Sequence, residues 1–232
     1  MKKLAVLGVL LSILCAWPTA VKAEGIQAGD QLASGYLGAL APLQDAGLGD
    51  LYVIDGGGHT FRINDLDWGD AGVGFGASYL YFVNDYLGLG GELSGGVFGE
   101  AEYDLSSSWG HTTIKSSMNT FNAMAVGRLN VNPQSRVRVY FPFGLGLTSA
   151  KGKIEMESWG GNGSVDGTST SLGYFVGAGV EADLGESNWM LGGEVRYSGF
   201  KFDTNKYSDD GDGFGKKNYS YLSFLVKVGY KF

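Results

Sequence analysis

Apolar residues in this chain alternate with small or polar ones over one stretch after another, most clearly at the C-terminus. Leu222, Phe224, Val226, Val228, Tyr230 and Phe232 share one parity, and Tyr221, Ser223, Leu225, Lys227, Gly229 and Lys231 share the other. A period of two puts the two sets on opposite faces of a β-strand. One face suits hydrocarbon, and the other tolerates water or paired charges. Six upstream segments repeat the pattern: Val73 to Tyr81, Leu87 to Val97, Met118 to Val131, Val137 to Thr148, Leu172 to Leu184 and Trp189 to Tyr197. The seven predicted strands run to roughly 9–14 residues. A tilted strand needs about 9–11 to cross a membrane, whereas soluble strands average about 5–6. Length therefore favours a membrane barrel over a soluble sandwich.

The connections alternate as well. Asn84-Asp85, Asn132-Pro133-Gln134-Ser135 and Gly185-Glu186-Ser187 read as tight turns, and residues 100–117, 150–169 and 202–217 as long polar loops. Short turns at one end and long loops at the other, with an even number of strands, is the habit of bacterial outer-membrane barrels. Parity then demands an eighth strand before Gly72. Two segments compete for it. Gln27 to Ala41 contains Gly35-Tyr36-Leu37-Gly38 and leaves a long first loop; Leu51 to Ile63 contains Gly56-Gly57-Gly58 and leaves almost none. The first is favoured, with the second as a β-rich part of that loop. The expected fold is all-β, an eight-stranded antiparallel transmembrane up-and-down β-barrel. Its last strand ends at the short-turn, periplasmic side.

Composition adds an export signal. Met1-Lys2-Lys3 is a positive start, Leu4 to Ala16 an apolar core, and Val21-Lys22-Ala23 a small-x-small cleavage site. Residues 1–23 thus read as a secretory signal peptide, too short for a membrane anchor, and residues 24–232 as the barrel domain. The single Cys15 lies inside the signal; Leu14 precedes it, where a lipoprotein site wants Gly or Ala. Losing Lys2, Lys3 and Lys22 leaves 14 basic against 24 acidic residues, a balance of −10. Nothing there resembles a basic nucleic-acid footprint. Gly is in excess at 40 residues and aromatics stand at 13%, with only 4 Pro. That mixture suits crowded strands rather than disorder.

Four stretches carry a resemblance. They are Gly74-Phe75-Gly76-Ala77-Ser78-Tyr79-Leu80-Tyr81-Phe82 with the following Leu87-Gly88-Leu89-Gly90-Gly91-Glu92-Leu93, then Tyr140-Phe141-Pro142-Phe143-Gly144-Leu145-Gly146, Tyr174-Phe175-Val176-Gly177-Ala178-Gly179-Val180, and Val228-Gly229-Tyr230-Lys231-Phe232. Together they resemble the small outer-membrane barrels of the OmpW, OmpX and opacity-protein type, over essentially all of residues 24–232. The resemblance implies a Gram-negative outer-membrane location, surrounding outer-membrane lipid, and a terminal aromatic pattern, Val228, Tyr230 and Phe232, presented to the barrel assembly machinery. It implies no single activity, because the group includes adhesins, small-solute conduits, structural proteins and a few lipid enzymes.

The expected lumen charges are Glu92, Glu181, Asp183 and Glu194 against Arg128, Arg138, Arg196, Lys227 and Lys231. Near-balance points to paired ions, which avoid the cost of isolated buried charge. Eight strands enclose a space that side chains can fill, and Phe82, Phe98, Tyr140, Phe175 and Phe200 are the bulky inward candidates. The inward glycines lack the following helix that a phosphate loop needs. His111 with Asp104, Ser106, Ser107 and Ser108 supplies the ingredients of a base and nucleophile, although Ser-rich loops are common; His59 is the other histidine. Asp209-Asp210-Gly211-Asp212-Gly213 lacks the closing Glu of a calcium loop. Trp68, Trp109, Trp159 and Trp189 suit an interfacial belt. No catalytic, metal or cofactor site is read. The expected role is structural or surface-interacting, towards an extracellular ligand or host surface. A narrow conduit for small or apolar solutes is the alternative, and a lipid-modifying enzyme a further one.

Overall fold

In lipid every backbone N–H and C=O must find a partner within the protein, so strands can span only as a closed barrel. The structure, a computed structural model, describes residues 25–43, 51–54, 60–63, 69–107, 110–158, 161–203 and 216–232. Its strands are β1 (Gln31–Pro42), β2 (Leu51–Ile54), β3 (Thr60–Ile63), β4 (Asp70–Phe82), β5 (Leu87–Gly99), β6 (Ala101–Ser107), β7 (Gly110–Asn130), β8 (Val137–Ser158), β9 (Gly161–Asp183), β10 (Trp189–Asp203) and β11 (Lys216–Lys231). The barrel wall runs β1-β4-β5-β7-β8-β9-β10-β11, every pair antiparallel. It closes where β1 meets β11, from Leu32 opposite Lys231 to Pro42 opposite Tyr221.

The competition for the first strand is decided by this seam: β1 lies between β11 and β4, while Leu51–Ile54 and Thr60–Ile63 pair only with each other. They form a hairpin within the first long connection. Facing follows the alternation. Leu37, Leu93, Leu147, Leu172 and Val226 stand outward and exposed, whereas Lys227 is buried in the lumen. On β8 the apolar outer face runs from Val137 to Leu147. That span, at about 3.3 Å per residue and a tilt of about 40°, covers the roughly 25 Å expected of the apolar band.

Two of the three long polar loops are a correction. Residues 100–117 and 150–169 are largely strand: β7, β8 and β9 reach 21, 22 and 23 residues. Residues 204–215 of the third lie outside the described residues. β6 carries on from β5 beyond Glu100 and pairs with β7 from Ala101 opposite Ser116 to Ser107 opposite Gly110. The reason is a change of solvent. Above Leu147 the outward positions become Ser149, Lys151, Lys153, Glu155 and Glu157, since they meet water, while the inward positions become Ala150, Gly152, Ile154 and Met156. The alternation persists, but its apolar side switches from the outer face to the inner one, and a reading tuned to apolar outer faces sees a loop.

Candidate functional site

The lumen is where inward side chains from all eight wall strands converge. Close packing there requires small partners for large rings: a Cβ at Gly144 would lie 2.3 Å from the Phe175 ring, and one at Gly179 would lie 2.4 Å from that of Tyr140. Phe82, Phe98, Tyr140, Phe175 and Phe200 are all buried inside.

Toward the short-turn end, Arg128 on β7 reaches past β8 to Glu181 on β9 with two charge-assisted bonds, Nη1 to Oε2 at 2.7 Å and Nη2 to Oε1 at 2.5 Å. Its Nε donates to Asn130 Oδ1 at 2.8 Å. Arg138 on β8 sits directly opposite Glu181 in register and donates Nε to Oε1 at 3.1 Å. The same guanidinium grips Asp183, with Nη1 to Oδ2 at 2.9 Å. Glu181 therefore holds two arginines at once.

Tyr140 joins this group to the next. The Arg128 guanidinium lies 3.9 Å above its ring, and its hydroxyl donates to Glu194 Oε2 at 2.8 Å. Glu194 also takes Lys227 at 3.4 Å and pairs with Arg196 on its own strand. Arg196 then crosses to Glu92 on β5, at 2.6 and 2.9 Å, and its guanidinium rests 4.3 Å from the Phe175 ring. The Tyr36 hydroxyl donates to Glu92 Oε1 at 2.6 Å. Eight of the nine charges named from the sequence thus form one connected set. Lys231 stands apart, 3.8 Å from Asp30 and donating to the Gly25 carbonyl at 3.1 Å. Asp30 brings the count to five acids against five bases.

Asp30, Tyr36 and Asn130 were not among the sequence candidates. Asp30 sits at the start of the segment Gln27 to Ala41, in the turn ahead of β1 (Gln31–Pro42), where no alternation aims it inward. Tyr36 and Asn130 carry no formal charge to draw notice. A count of lumen charges that came out one cation in excess was the available signal for a missing acid.

Above the ions lies a polar layer. Asn122 donates to Ser94 Oγ at 3.2 Å and accepts from Thr148 Oγ1 at 2.7 Å. A cavity of about 30 Å³ opens here, lined in part by Tyr36, Glu92, Asn122, Arg196, Ser198 and Tyr221. That is room for roughly two waters. Next comes an apolar cluster of Leu40, Phe98, Ile114, Met118, Ala150, Phe200, Tyr219 and Tyr221, with half-buried Tyr103, Ile154 and Met156 packed against it. Phe98 meets Tyr219 and Tyr221 edge-on, at centroid separations of 5.7 and 5.4 Å, a favoured ring geometry.

Outside the barrel, Val228 and Phe232 are exposed, and Trp189, Tyr230 and Phe232 meet edge-on in series at 5.0 and 4.9 Å. This aromatic run suits a membrane boundary at the short-turn end. At the other end, Lys151 pairs with Asp166 at 3.0 Å and Lys115 with Glu157 at 3.6 Å. Lys153 bonds Glu155, whose carboxylate holds the ammonium above its ordinary range. Of the candidate nucleophile set, Ser106 stands opposite His111 across β6 and β7, and Asp104 Oδ1 accepts from Thr113 Oγ1 at 2.8 Å. Ser108, His59, Asp209 to Gly213, Trp68, Trp109 and Trp159 lie outside the described residues.

Residues 10–232 match the profile of the family described as outer membrane protein beta-barrel domain. Among solved structures, the outer membrane protein OprG of Pseudomonas aeruginosa superposes with a TM-score of 0.51 at 16% identity, over 90% of this chain and 98% of that one. Ail, the attachment invasion locus protein of Yersinia pestis, gives 0.44 at 17% identity over 88% and 99%. The outer membrane protease OmpT of Escherichia coli gives 0.45 at 9% over 92% and 100%. A search of curated protein sequences gives no match. At 16% identity the likeness to OprG shows the fold alone.

Proposed function

The chain belongs to the outer membrane protein β-barrel domain family, and from that premise we propose that it is a sealed, non-catalytic barrel of the outer membrane with a structural or surface-interacting role. One observation carries this reading: the lumen is filled in series by a neutralised ionic network and an apolar cluster. Each carboxylate of the network is bound to at least one cation, which leaves none free to act as a general base. Any surface interaction would fall to the strands that rise beyond the apolar band, β6 to β9, facing an extracellular ligand or host surface. Val228, Tyr230 and Phe232 would serve the barrel assembly machinery on the way to the membrane. Residues 1–23 would be removed during export.

Swelling of proteoliposomes in a small neutral sugar tests the sealed lumen. Vesicles carrying the refolded protein should swell no faster than empty ones. Swelling that scales with protein content would favour the narrow conduit instead.

A further inference from the structure

Residues 25–30 precede the first wall strand, yet they are tightly held. Gln27 to Asp30 forms a turn closed by Asp30 N–H to Gln27 C=O at 3.2 Å and by Gln27 N–H to Asp30 Oδ2 at 2.9 Å. Gly29 supplies its positive φ of 94°, as the third position of such a turn requires. The segment crosses the short-turn mouth of the barrel and touches three separate places. At the β4–β5 turn, Ala28 N–H donates to Asp85 Oδ1 at 2.9 Å and Gly29 N–H to the Phe82 carbonyl at 2.8 Å. At the β7–β8 turn, Ile26 N–H donates to the Pro133 carbonyl at 2.9 Å, and Gln134 Nε2 bonds both Ile26 C=O and Asp85 Oδ2, at 3.3 and 3.2 Å. At the closing seam, Lys231 on β11 holds the Gly25 carbonyl and Asp30. Ile26, 1% exposed, packs into the lower core with Leu32, Leu80, Phe82 and Met190.

We propose that residues 25–30 are a latch that locks the β1–β11 seam after the barrel has closed. Its docking surface does not exist until β11 lies beside β1 and both turns are formed, because its contacts come from all three. Contacts that form after the rate-limiting step slow unfolding and leave folding nearly untouched. The latch therefore gives the barrel kinetic persistence at the one seam where the two chain ends meet. Asp85 is the residue through which it is held, since its carboxylate binds the strap and Gln134 together.

Refolding and urea unfolding of the 24–232 chain in lipid vesicles test this. Asp85→Ala should speed unfolding by at least about tenfold, the low end for one lost bond to a charged group, while the folding rate stays within about twofold of the parent. Asp85→Asn keeps the acceptor for Ala28 N–H but turns an amide N–H toward the Gln134 donor, and should restore slow unfolding in part. Ile26→Ala should also speed unfolding by at least about tenfold. The two lesions combined should give less than the product of their separate effects, because a strap can be released only once. Three outcomes overturn the latch: parental unfolding in Asp85→Ala, folding slowed as much as unfolding is hastened, or effects that multiply fully in the double variant. The last would place Asp85 in its own turn alone.

Discussion

The short-turn half of the lumen holds Arg128, Arg138, Glu181, Asp183, Glu194 and Lys227 in two ion-paired groups joined through Tyr140, whereas the opposite half holds Leu40, Phe98, Met118, Phe200 and Tyr219 in van der Waals contact. Both halves are full, but they fill by different rules. The ionic half is directional: Glu181 accepts from two guanidiniums, so each member depends on its neighbours staying charged and in place. The apolar half is additive, and a missing ring there costs its own contacts and a cavity. The difference tracks the solvent outside. Charges gather where short turns and the N-terminal segment close the mouth. Phe82, Tyr140 and Phe175 pack among them, and a cluster without charges takes over where β7 to β9 leave the hydrocarbon and the inner face becomes the apolar one.

The largest effect should come from breaking the ionic half. Glu181→Ala leaves Arg128 without its main partner and Arg138 with Asp183 alone, in a buried site. Removing one member of such a set costs about 3–5 kcal/mol, read as a lowered urea midpoint in lipid vesicles. A loss below about 1 kcal/mol would mean that the network is hydrated and loosely held. Phe200→Ala comes next, at about 3 kcal/mol, as expected for a deleted core ring. Phe200→Leu should recover most of it, because the apolar half reads volume rather than direction. If the leucine variant were as unstable as the alanine one, the apolar half would be as geometrically strict as the ionic one, and the contrast would fail. The smallest effect belongs outside both halves. Lys151→Ala removes an exposed pair with Asp166 and should cost between about 0 and 1 kcal/mol, which a thermal melt would show as a shift near the limit of measurement.

Strand parity made much of this lumen legible from the chain alone. Lys227 beside Val226, or Tyr140 between Val139 and Phe141, is placed by a period of two and nothing else. The partners were not legible, because Arg128 meets Glu181 across an intervening strand and Arg196 meets Glu92 across the lumen. Such contacts depend on how far successive strands are staggered, which a local pattern does not encode. The upper strands were misread for the reason already given: Lys151 and Lys153 outside and Ile154 and Met156 inside keep the period and reverse its meaning. Residues 25–30 have no period at all. Gly25, Gly29 and Asp30 are the residues of an ordinary turn, and only the structure brings them against Asp85, Pro133 and Lys231.

The account rests most heavily on a lumen closed to ions. Eight strands enclose a space that side chains can fill, whereas open aqueous channels belong to barrels of about 16–18 strands. Single-channel recording of the purified protein in a planar bilayer tests that claim directly. The wild-type protein should show no steady conductance, and at most rare, small openings. Arg138→Ala and Glu194→Ala should lower the stability of the barrel rather than tune its ion preference. Large, stable conductance steps in the wild type, with an ion preference that reverses in those two variants, would contradict the sealed lumen and make the barrel a conduit.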